Sequence, residues 1–274
     1  SHLPDITSIE PLPDIDFNIF AGNSLVGGLS WDDLEEHYTM DLFTSTNREN
    51  IKADIGQLSH LKTQYRNIQQ QDDNEEELSH LKNNIDTLKS IINKDIKIGI
   101  ENPFHWFIDF KKIMENGGFD VIIGNPPYVT YNEARSYKLV NYKTAKCGDL
   151  YAFFIERSNR LLQAFSNIGM IVPISIVGTE GYSTLRENVL ANEKFNWFSS
   201  FAMRPGKLFD KVDKRLTIWI GIKNVQLATS KVFTTKYLRW WSEKREGLFQ
   251  TLKYISNDIN FEGINSIPKI SFEK

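Results

Sequence analysis

The segment 44–99 shows a pattern of apolar positions that differs from the rest of the chain. Its apolar residues recur at helical spacing, first at Ile51, Ile55, Leu58, Tyr65 and Ile68, and then at Leu78, Leu81, Ile85, Leu88 and Ile92. Steps that alternate between three and four residues are typical of the narrow seam of a coiled coil. Because a polar stretch at 69–74 separates the two runs, the pattern predicts two helices folded into an antiparallel hairpin.

From residue 100 to residue 224, short apolar runs alternate with helical segments. Four runs read as strands, at Phe119–Gly124, Ile168–Val172, Phe195–Phe201 and Leu216–Ile222. Between the first two, apolar residues from Leu150 to Leu162 predict an amphipathic helix. Such alternation predicts an α/β fold, with a mostly parallel sheet and covering helices.

The two ends of the chain are less regular. Residues 1–43 contain a short strand candidate, Phe17–Phe20, followed by a glycine and Asn23, which is how α/β enzymes present a side chain at the carboxyl end of a sheet. Residues 225–274 contain a strand candidate at Lys231–Thr235 and then an aromatic-rich, irregular tail. We therefore divide the chain into four parts: 1–43, 44–99, 100–224 and 225–274.

The composition indicates a globular protein and argues against disulfide-bonded and membrane-spanning classes. With 274 residues, 41% of them hydrophobic and 24% charged, the chain has the composition of a globular protein. The single cysteine, Cys147, excludes an internal disulfide and fits a reducing compartment. No apolar run approaches the ~20 residues that span a bilayer, so we expect a cytoplasmic protein without a membrane partner. His60 and His80 lack a third ligand, and no metal site is predicted.

The net charge of −3 neither supports nor excludes binding to nucleic acid. DNA-binding proteins usually carry a basic excess, because neutralisation of phosphates supplies most of their affinity. If DNA is the partner, the positive charge must come from a local patch or from another part of the polypeptide. The chain begins with Ser1 rather than methionine, and we read it as the middle of something longer.

The strongest chemical signal follows the strand candidate Phe119–Gly124, where the chain continues as Asn125-Pro126-Pro127-Tyr128. In open α/β sheets, ligands bind at this carboxyl edge. The two prolines fix their φ angles and lack an N–H group, so the corner is stiff. Asn125 and the Pro126 carbonyl offer two hydrogen-bond acceptors, and Tyr128 offers a flat ring.

This corner suits a planar ring that carries an exocyclic amine. Two acceptors would draw the amine nitrogen towards tetrahedral geometry and stabilise the positive charge that grows on it as it attacks a methyl group. The proton can leave afterwards, so no strong general base is needed before attack. The alternative is a proline-stiffened turn in which Tyr128 only packs. The glycine-preceded apolar strand in front of the motif favours the functional interpretation.

Asn-Pro-Pro-Tyr after an apolar strand resembles the catalytic motif of amino-methyltransferases that use S-adenosylmethionine. Together with Asn102–Phe107, Gly117–Asp120 and Phe17–Leu25, it resembles the adenine-N6 DNA methyltransferases of restriction-modification systems, such as type IIG enzymes. The resemblance implies a Rossmann-like methyltransferase sheet, incomplete in this chain, with the helical hairpin inserted. It also implies methyl transfer to the amine of an adenine that has been rotated out of double-stranded DNA.

The resemblance assigns roles to single residues. The catalytic residues would be Asn125, Pro126, Pro127 and Tyr128, with Tyr128 and Phe209 stacking on the flipped base. A return of Phe209 to the core is an equal alternative. The cofactor would contact Asn23, Ser24, Asn125 and Asp149, although many members of the family carry Asp at the position of Asn23.

Two parts of the family pattern do not occur in this sequence. A glycine-rich cofactor loop should precede Asn23, and a target-recognition domain should follow the last strand. We expect both in missing N-terminal and C-terminal regions of the same polypeptide. We therefore expect the 274-residue chain alone to be inactive and to bind S-adenosylmethionine weakly or not at all.

The sequence leaves alternatives open. Asn-Pro-Pro-Tyr also serves enzymes that methylate the amine of guanine in RNA or a glutamine amide in protein, although those usually lack a long hairpin before the motif. In a non-catalytic alternative, the hairpin at 44–99 docks a partner and the remainder is a silent scaffold. Basic and aromatic residues at 131–146 are candidates for contact with DNA phosphates, and an ordinary solvated loop is an equal alternative.

Overall fold

The computed structural model describes residues 17–37, 45–69, 74–96, 103–132, 137–259 and 267. The chain forms two compact units, Ser1–Lys112 and Ile113–Lys274. The first contains helices α1 (Trp31–His37), α2 (Ser45–Gln69), α3 (Glu75–Asp95) and α4 (Trp106–Asp109), and helix α5 (Lys111–Glu115) lies across the boundary. Of the helices in the described ranges, none is long and apolar enough to cross a lipid bilayer.

Helices α2 and α3 pack against each other and form the predicted hairpin. Their seam buries apolar side chains at the predicted positions, including Ile51, Ile55, Leu58, Ile85 and Ile92. Only residues 70–74 separate the helices, which is too short a connection for helices in contact to run parallel. Asn74 caps α3, because its side-chain oxygen accepts a hydrogen bond from the Glu77 amide at 3.3 Å. The prediction of an antiparallel helical hairpin is confirmed.

The strand predicted at Phe17–Phe20 is wrong. These residues form a turn, and Phe17 has a positive φ of 60° that no strand residue adopts. The apolar side chains are used for packing instead: the Phe17 ring meets Tyr65 edge-on at 5.0 Å, and the Phe20 ring meets Phe110 at 5.0 Å. The apolar run therefore forms an aromatic contact with a helix and takes no part in a sheet.

The segment after this turn pairs with residues 103–106. The Phe104 amide donates to the Val26 carbonyl at 2.9 Å, and the Trp106 amide donates to the Gly28 carbonyl at 3.0 Å. Gly27 lies between them with a φ of 108°, and a side chain there would collide with the backbone of Phe104. Glycine is therefore required for the close approach of the two segments.

His105 lies in this paired segment and is buried, with its Nδ1 accepting a hydrogen bond from the Gly28 amide at 3.1 Å. Burial lowers the pKa of His105 to about 4, whereas an unfolded histidine has a pKa near 6.5. Between these values the unfolded chain binds a proton that the folded unit does not bind. The contribution of His105 to stability is therefore complete above pH ~6.5 and is lost as the pH falls towards 4, by about 3 kcal/mol in total.

Urea unfolding at several pH values, read by hydrogen exchange in the first unit, measures this effect. The loss of stability between pH 6.5 and pH 4.5 should shrink in His105→Gln. The matched variant His60→Gln changes an exposed histidine of α2 and should behave as the wild type. Equal pH dependence in His105→Gln and the wild type would contradict the assignment.

In the described part of the second unit, six strands form one sheet: β1 (Phe119–Gly124), β2 (Leu162–Pro173), β3 (Glu193–Phe201), β4 (Leu216–Lys223), β5 (Ser230–Thr234) and β6 (Ile255–Ile259). Their order is β1-β2-β4-β3-β5-β6. The pairs β1–β2 and β3–β5 are parallel and the other three are antiparallel, so β1, β2, β3 and β5 point in one direction. The predicted α/β fold with a mostly parallel sheet is confirmed.

Helices α6 (Leu150–Leu161), α7 (Ser175–Gly178) and α8 (Ser183–Asn192) pack with this sheet. The core between them buries Tyr151 of α6, Leu185 of α8, and Phe198 and Trp219 of the sheet. The buried Trp219 indole donates from Nε1 to Asn196 Oδ1 at 2.9 Å, so its polar atom is satisfied. The core fixes the strand order and thereby the loops at the carboxyl ends of β1, β2, β3 and β5.

Candidate active site at the carboxyl end of the sheet

The Asn-Pro-Pro-Tyr corner directly follows β1. Gly118 precedes this strand with a φ of 120°, where a side chain would collide with the Leu161 carbonyl. Asn125 is exposed, Pro126 is buried and Tyr128 is half-buried. The corner is therefore anchored by one proline, while the asparagine side chain faces solvent.

The Tyr128 hydroxyl connects the corner to the neighbouring strand. It lies 2.5 Å from Asn125 Oδ1 and 2.9 Å from the carbonyl oxygen of Ile171, near the end of β2. Burial raises the pKa of Tyr128 to about 12, so the hydroxyl keeps its proton at neutral pH. One proton thus has two acceptors within reach, and the asparagine oxygen is held in a defined orientation.

The corner keeps acceptor capacity for a ligand. Asn125 Oδ1 receives one hydrogen bond and has a second lone pair. Among the residues that the structure describes, none donates to the carbonyl oxygen of Pro126 or bonds the Asn125 amide nitrogen. At the carboxyl edge of β1, two oxygens therefore keep lone pairs that no described residue uses.

The loop 202–215 between β3 and β4 reaches the same corner. Lys214 donates from Nζ to the backbone oxygen of Tyr128 at 2.8 Å. Phe209 lies in this loop and is half-buried. The topology thus brings the predicted stacking residue to the edge of the sheet that carries the motif, and its contact with a base stays a prediction.

A residue from the tail fixes the conformation of this loop. The Arg245 guanidinium donates to the carbonyl oxygens of Lys207 at 2.9 Å and Leu208 at 3.1 Å, and it lies over the Trp240 ring. Leu208 also packs on a cluster of Phe201, Trp240 and Leu248. The segment after β5 therefore supports the loop that carries Phe209.

Asp149 is brought next to the stretch that follows the motif. Thr130 and Asp149 form an antiparallel bridge, and the Leu150 amide donates to the Val129 carbonyl at 3.0 Å. One carboxylate oxygen of Asp149 accepts a hydrogen bond from the hydroxyl of Tyr182. The other carboxylate oxygen has no hydrogen-bond partner among the described residues.

Asn23 and Ser24 lie in the first unit. The Asn23 side-chain oxygen accepts a hydrogen bond from the Leu25 amide at 3.2 Å, and the Ser24 carbonyl accepts one from Trp106 Nε1 at 3.2 Å. Both residues are half-buried. These contacts hold the turn locally, and the contact of Asn23 and Ser24 with a cofactor stays a prediction.

The aromatic residues of the stretch 131–146 are used mainly for packing. Tyr131 and Tyr142 lie against the Phe153 ring at 5.5 Å and 5.1 Å, and the hydroxyl of Tyr142 accepts a hydrogen bond from Arg157 Nε at 2.8 Å. The lysines at 143 and 146 are exposed. Arg135, also a candidate for phosphate contact, lies outside the described residues.

Sequence reasoning missed Ile171, Tyr182 and Lys214 as neighbours of the site. Each acts through a single contact, with the motif or with Asp149, across at least 33 residues of chain. No local pattern marks such residues, because the contacts depend on the strand order. For metal binding, no group of three or more His, Cys, Asp or Glu side chains within the described ranges could hold an ion.

The fold and the corner after β1 define the class of protein: an α/β protein that carries an Asn-Pro-Pro-Tyr motif directly after the first strand of its sheet. The sequence model of the Eco57I restriction-modification methylase family matches residues 34–209, and the chain belongs to this family.

Two proteins of known class and one solved structure are similar to parts of the chain. The chain is 38% identical over 87 residues to a putative type II restriction enzyme and methyltransferase of Methanocaldococcus jannaschii, covering 32% of this chain and 7% of that protein. It is 33% identical over 176 residues to the type II restriction enzyme and methyltransferase RM.Eco57I of Escherichia coli, covering 59% and 17%. A solved DrdV–DNA complex is similar with a TM-score of 0.43 and 15% identity, over 54% of this chain and 18% of that one. The chain thus spans less than a fifth of the length of each.

Proposed function

We propose that the protein transfers a methyl group from S-adenosylmethionine to the N6 amine of an adenine in double-stranded DNA, as the modification activity of a restriction-modification system. One observation carries this proposal: Asn125 Oδ1 and the Pro126 carbonyl oxygen retain acceptor capacity at a corner oriented by Tyr128. Membership of the Eco57I restriction-modification methylase family supports methylation as the activity.

The two oxygens would stabilise the positive charge that develops on the reacting nitrogen. An exocyclic amine is a weak nucleophile, because its lone pair is delocalised into the ring. Hydrogen bonds from its two N–H groups to Asn125 and Pro126 localise that lone pair and stabilise the positive charge that develops during attack. Each oriented contact of this type contributes a few kcal/mol.

The Tyr128 hydroxyl would make room for the amine without losing its own hydrogen bond. Before the base arrives, its proton is shared between Asn125 Oδ1 and the Ile171 carbonyl. When the amine takes the asparagine oxygen, the hydroxyl can donate to Ile171 alone. The Tyr128 ring stays in place to stack on the base, a contact of about 1–3 kcal/mol.

The residues near the corner fit a cationic cofactor. S-adenosylmethionine carries a positively charged sulfonium, which supplies an electrophilic methyl group. Asp149 offers a carboxylate oxygen that has no partner among the described side chains, and Asn125 offers amide atoms. These two residues are therefore expected to contact the cofactor, and the resemblance of the first unit to the family adds Asn23 and Ser24.

An adenine within a duplex cannot reach the corner, so the target nucleotide must rotate out of the helix. Phe209 in the loop 202–215 would pack on the rotated base opposite Tyr128. Regions beyond this chain are expected to supply the reading of the DNA sequence.

Methyl transfer by the full-length protein tests the proposal. The protein is incubated with tritiated S-adenosylmethionine and, separately, with duplex DNA, structured RNA and a mixture of proteins. Digestion of labelled DNA to nucleosides should yield N6-methyladenine. Label in RNA guanine or in a protein glutamine, with none in DNA, would overturn the choice of substrate and favour the other users of this motif.

Two variants of Tyr128 separate its hydroxyl from its ring. Tyr128→Phe keeps the ring and loses one neutral hydrogen bond, so kcat should fall by about fivefold. Tyr128→Ala also loses the stacking face, so its kcat should fall by a further factor of roughly 5 to 150. The control Tyr254→Phe removes a hydroxyl that bonds Ser199 at 2.7 Å, and its kcat should not change. Equal kcat in Tyr128→Ala and Tyr128→Phe would contradict stacking.

A further inference from the structure

A second feature of the carboxyl edge is an open groove of about 630 Å³ beside the loop 202–215. Four basic side chains line it, at Arg204, Lys207, Arg215 and Arg239, together with the exposed Tyr237. They come from the loop between β3 and β4 and from the segment after β5. The groove is thus built by the same sheet edge that presents the Asn-Pro-Pro-Tyr corner.

Positive charge exceeds negative charge at this groove. Lys207 pairs with Asp213, and the charge of Arg204 also acts on that exposed carboxylate. The three arginines, at 204, 215 and 239, form no ion pair with any side chain that the structure describes. Guanidinium groups gathered around one groove repel each other, and this repulsion contributes nothing to folding. In a protein with a net charge of −3, a local excess of arginine therefore points to an anionic ligand.

The shape of the groove favours an extended ligand over a compact one. It is open to solvent, and a separate, smaller cavity of about 180 Å³ shares Arg215 and Tyr237 with it. Arginine guanidinium groups match phosphate oxygens in geometry and charge. Several arginines spread along an open groove beside an exposed aromatic ring suit a chain of phosphates and sugars.

The position of the groove relates it to the corner after β1. In the strand order, β4 and β3 lie two and three places from β1. With strands ~4.8 Å apart, the groove begins about 10–15 Å from the corner. Each DNA strand carries one phosphate per ~3.4 Å of helix axis, so phosphates a few nucleotides from a target base would fall within the groove.

We propose that Arg204, Lys207, Arg215, Tyr237 and Arg239 form a binding site for the sugar–phosphate backbone of DNA beside the target adenine. The identity of the ligand as DNA rests on the proposed function. A DNA-binding protein with a net charge of −3 needs a local positive patch. This groove supplies one.

The salt dependence of DNA binding tests this site. Fluorescence anisotropy with the full-length protein and a labelled duplex gives the slope of log K against log salt concentration. Each phosphate contact contributes about 0.9 to that slope for duplex DNA. We expect the slope to decrease by about 0.9 in Arg239→Ala and by about twice that amount in Arg204→Ala/Arg239→Ala. Arg239→Lys, which keeps the charge, should retain most of the slope.

The control is Lys231→Ala, which removes an exposed cation from the amino-terminal end of β5, at the opposite edge of the sheet. Its slope should equal that of the wild type. If the wild type methylates adenine but the arginine variants keep its slope, the groove assignment is wrong and the proposed function stands. If the slopes decrease but no adenine is methylated, the groove stands and the proposed function is wrong. A larger slope change with single-stranded RNA than with duplex DNA would overturn DNA as the ligand.

Discussion

Replacement of Asn125 by alanine is expected to lower kcat for methyl transfer to DNA by about 10²–10³-fold, the usual effect of removing one oriented group that stabilises developing charge. The variant keeps the Pro126 carbonyl and the Tyr128 ring, so the affinity for DNA should change little. Asn125 is exposed and makes one described hydrogen bond, to the Tyr128 hydroxyl. Its loss should therefore not unfold the protein. Single-turnover kinetics with labelled cofactor measure the chemical step directly.

The matched control is Asn224→Ala. Asn224 follows β4 at the opposite edge of the sheet, where its side-chain oxygen accepts a hydrogen bond from the Gln226 amide at 3.0 Å. This variant also removes an amide, and its kcat should equal that of the wild type. If Asn125→Ala retained kcat within twofold, the amine-holding role of the corner would have to be abandoned.

The second large effect that we expect is a loss of stability in the first unit when Asp109 is replaced. Asp109 has a buried carboxylate that pairs with Lys62 at 3.4 Å and Lys89 at 2.7 Å, and both ammonium groups lie over the Phe20 ring. Burial already lowers the pKa of Lys62, and Asp109 opposes this shift. Asp109→Ala leaves the buried Lys62 without a counter-charge, so the free energy of unfolding of this unit should decrease by about 3–5 kcal/mol.

Hydrogen exchange of peptides from α2 and α3 in increasing urea measures that change within the first unit. Asp32→Ala serves as the control, because its side chain is 92% exposed and its pair with Arg48 is long, at 3.9 Å. Exposed pairs of this kind contribute ~0–1 kcal/mol. If Asp109→Ala lost no more unfolding free energy than Asp32→Ala, the ion pairs of Asp109 with Lys62 and Lys89 would not stabilise the hairpin.

The regular elements could be predicted because their patterns are local. The apolar seam repeats along both α2 and α3, and five of the six predicted strands lie in β1 to β5 or overlap their ends. The segment Phe17–Phe20 misled because an apolar run of four residues fits a strand, a helix or a packed turn equally well. Its conformation was decided by aromatic partners such as Tyr65 and Phe110, which are remote in sequence.

The candidate site could likewise be predicted only where its residues are contiguous in the sequence. Asn125 to Tyr128 are contiguous, so their stiffness and donor–acceptor properties could be inferred from the sequence alone. The contacts of Ile171 and Lys214 with the corner, and the grouping of the arginines along the groove, arise from strand order. Five pairings, three of them antiparallel, fix that order, and residue spacing alone does not specify it. β6 was not predicted either.

Arg245 has a practical consequence for protein engineering. If a foreign sequence-reading module were grafted onto this α/β core, the simplest junction would lie after residue 224, where the alternation of predicted strands and helices ends. Such a junction would remove the guanidinium that holds the carbonyls of Lys207 and Leu208. Leu252 also packs with the Trp240 cluster, β6 pairs with β5, and Ile267 is buried in the core of the sheet. A chimaera should therefore retain the native chain through Ile267 and exchange only residues beyond that point.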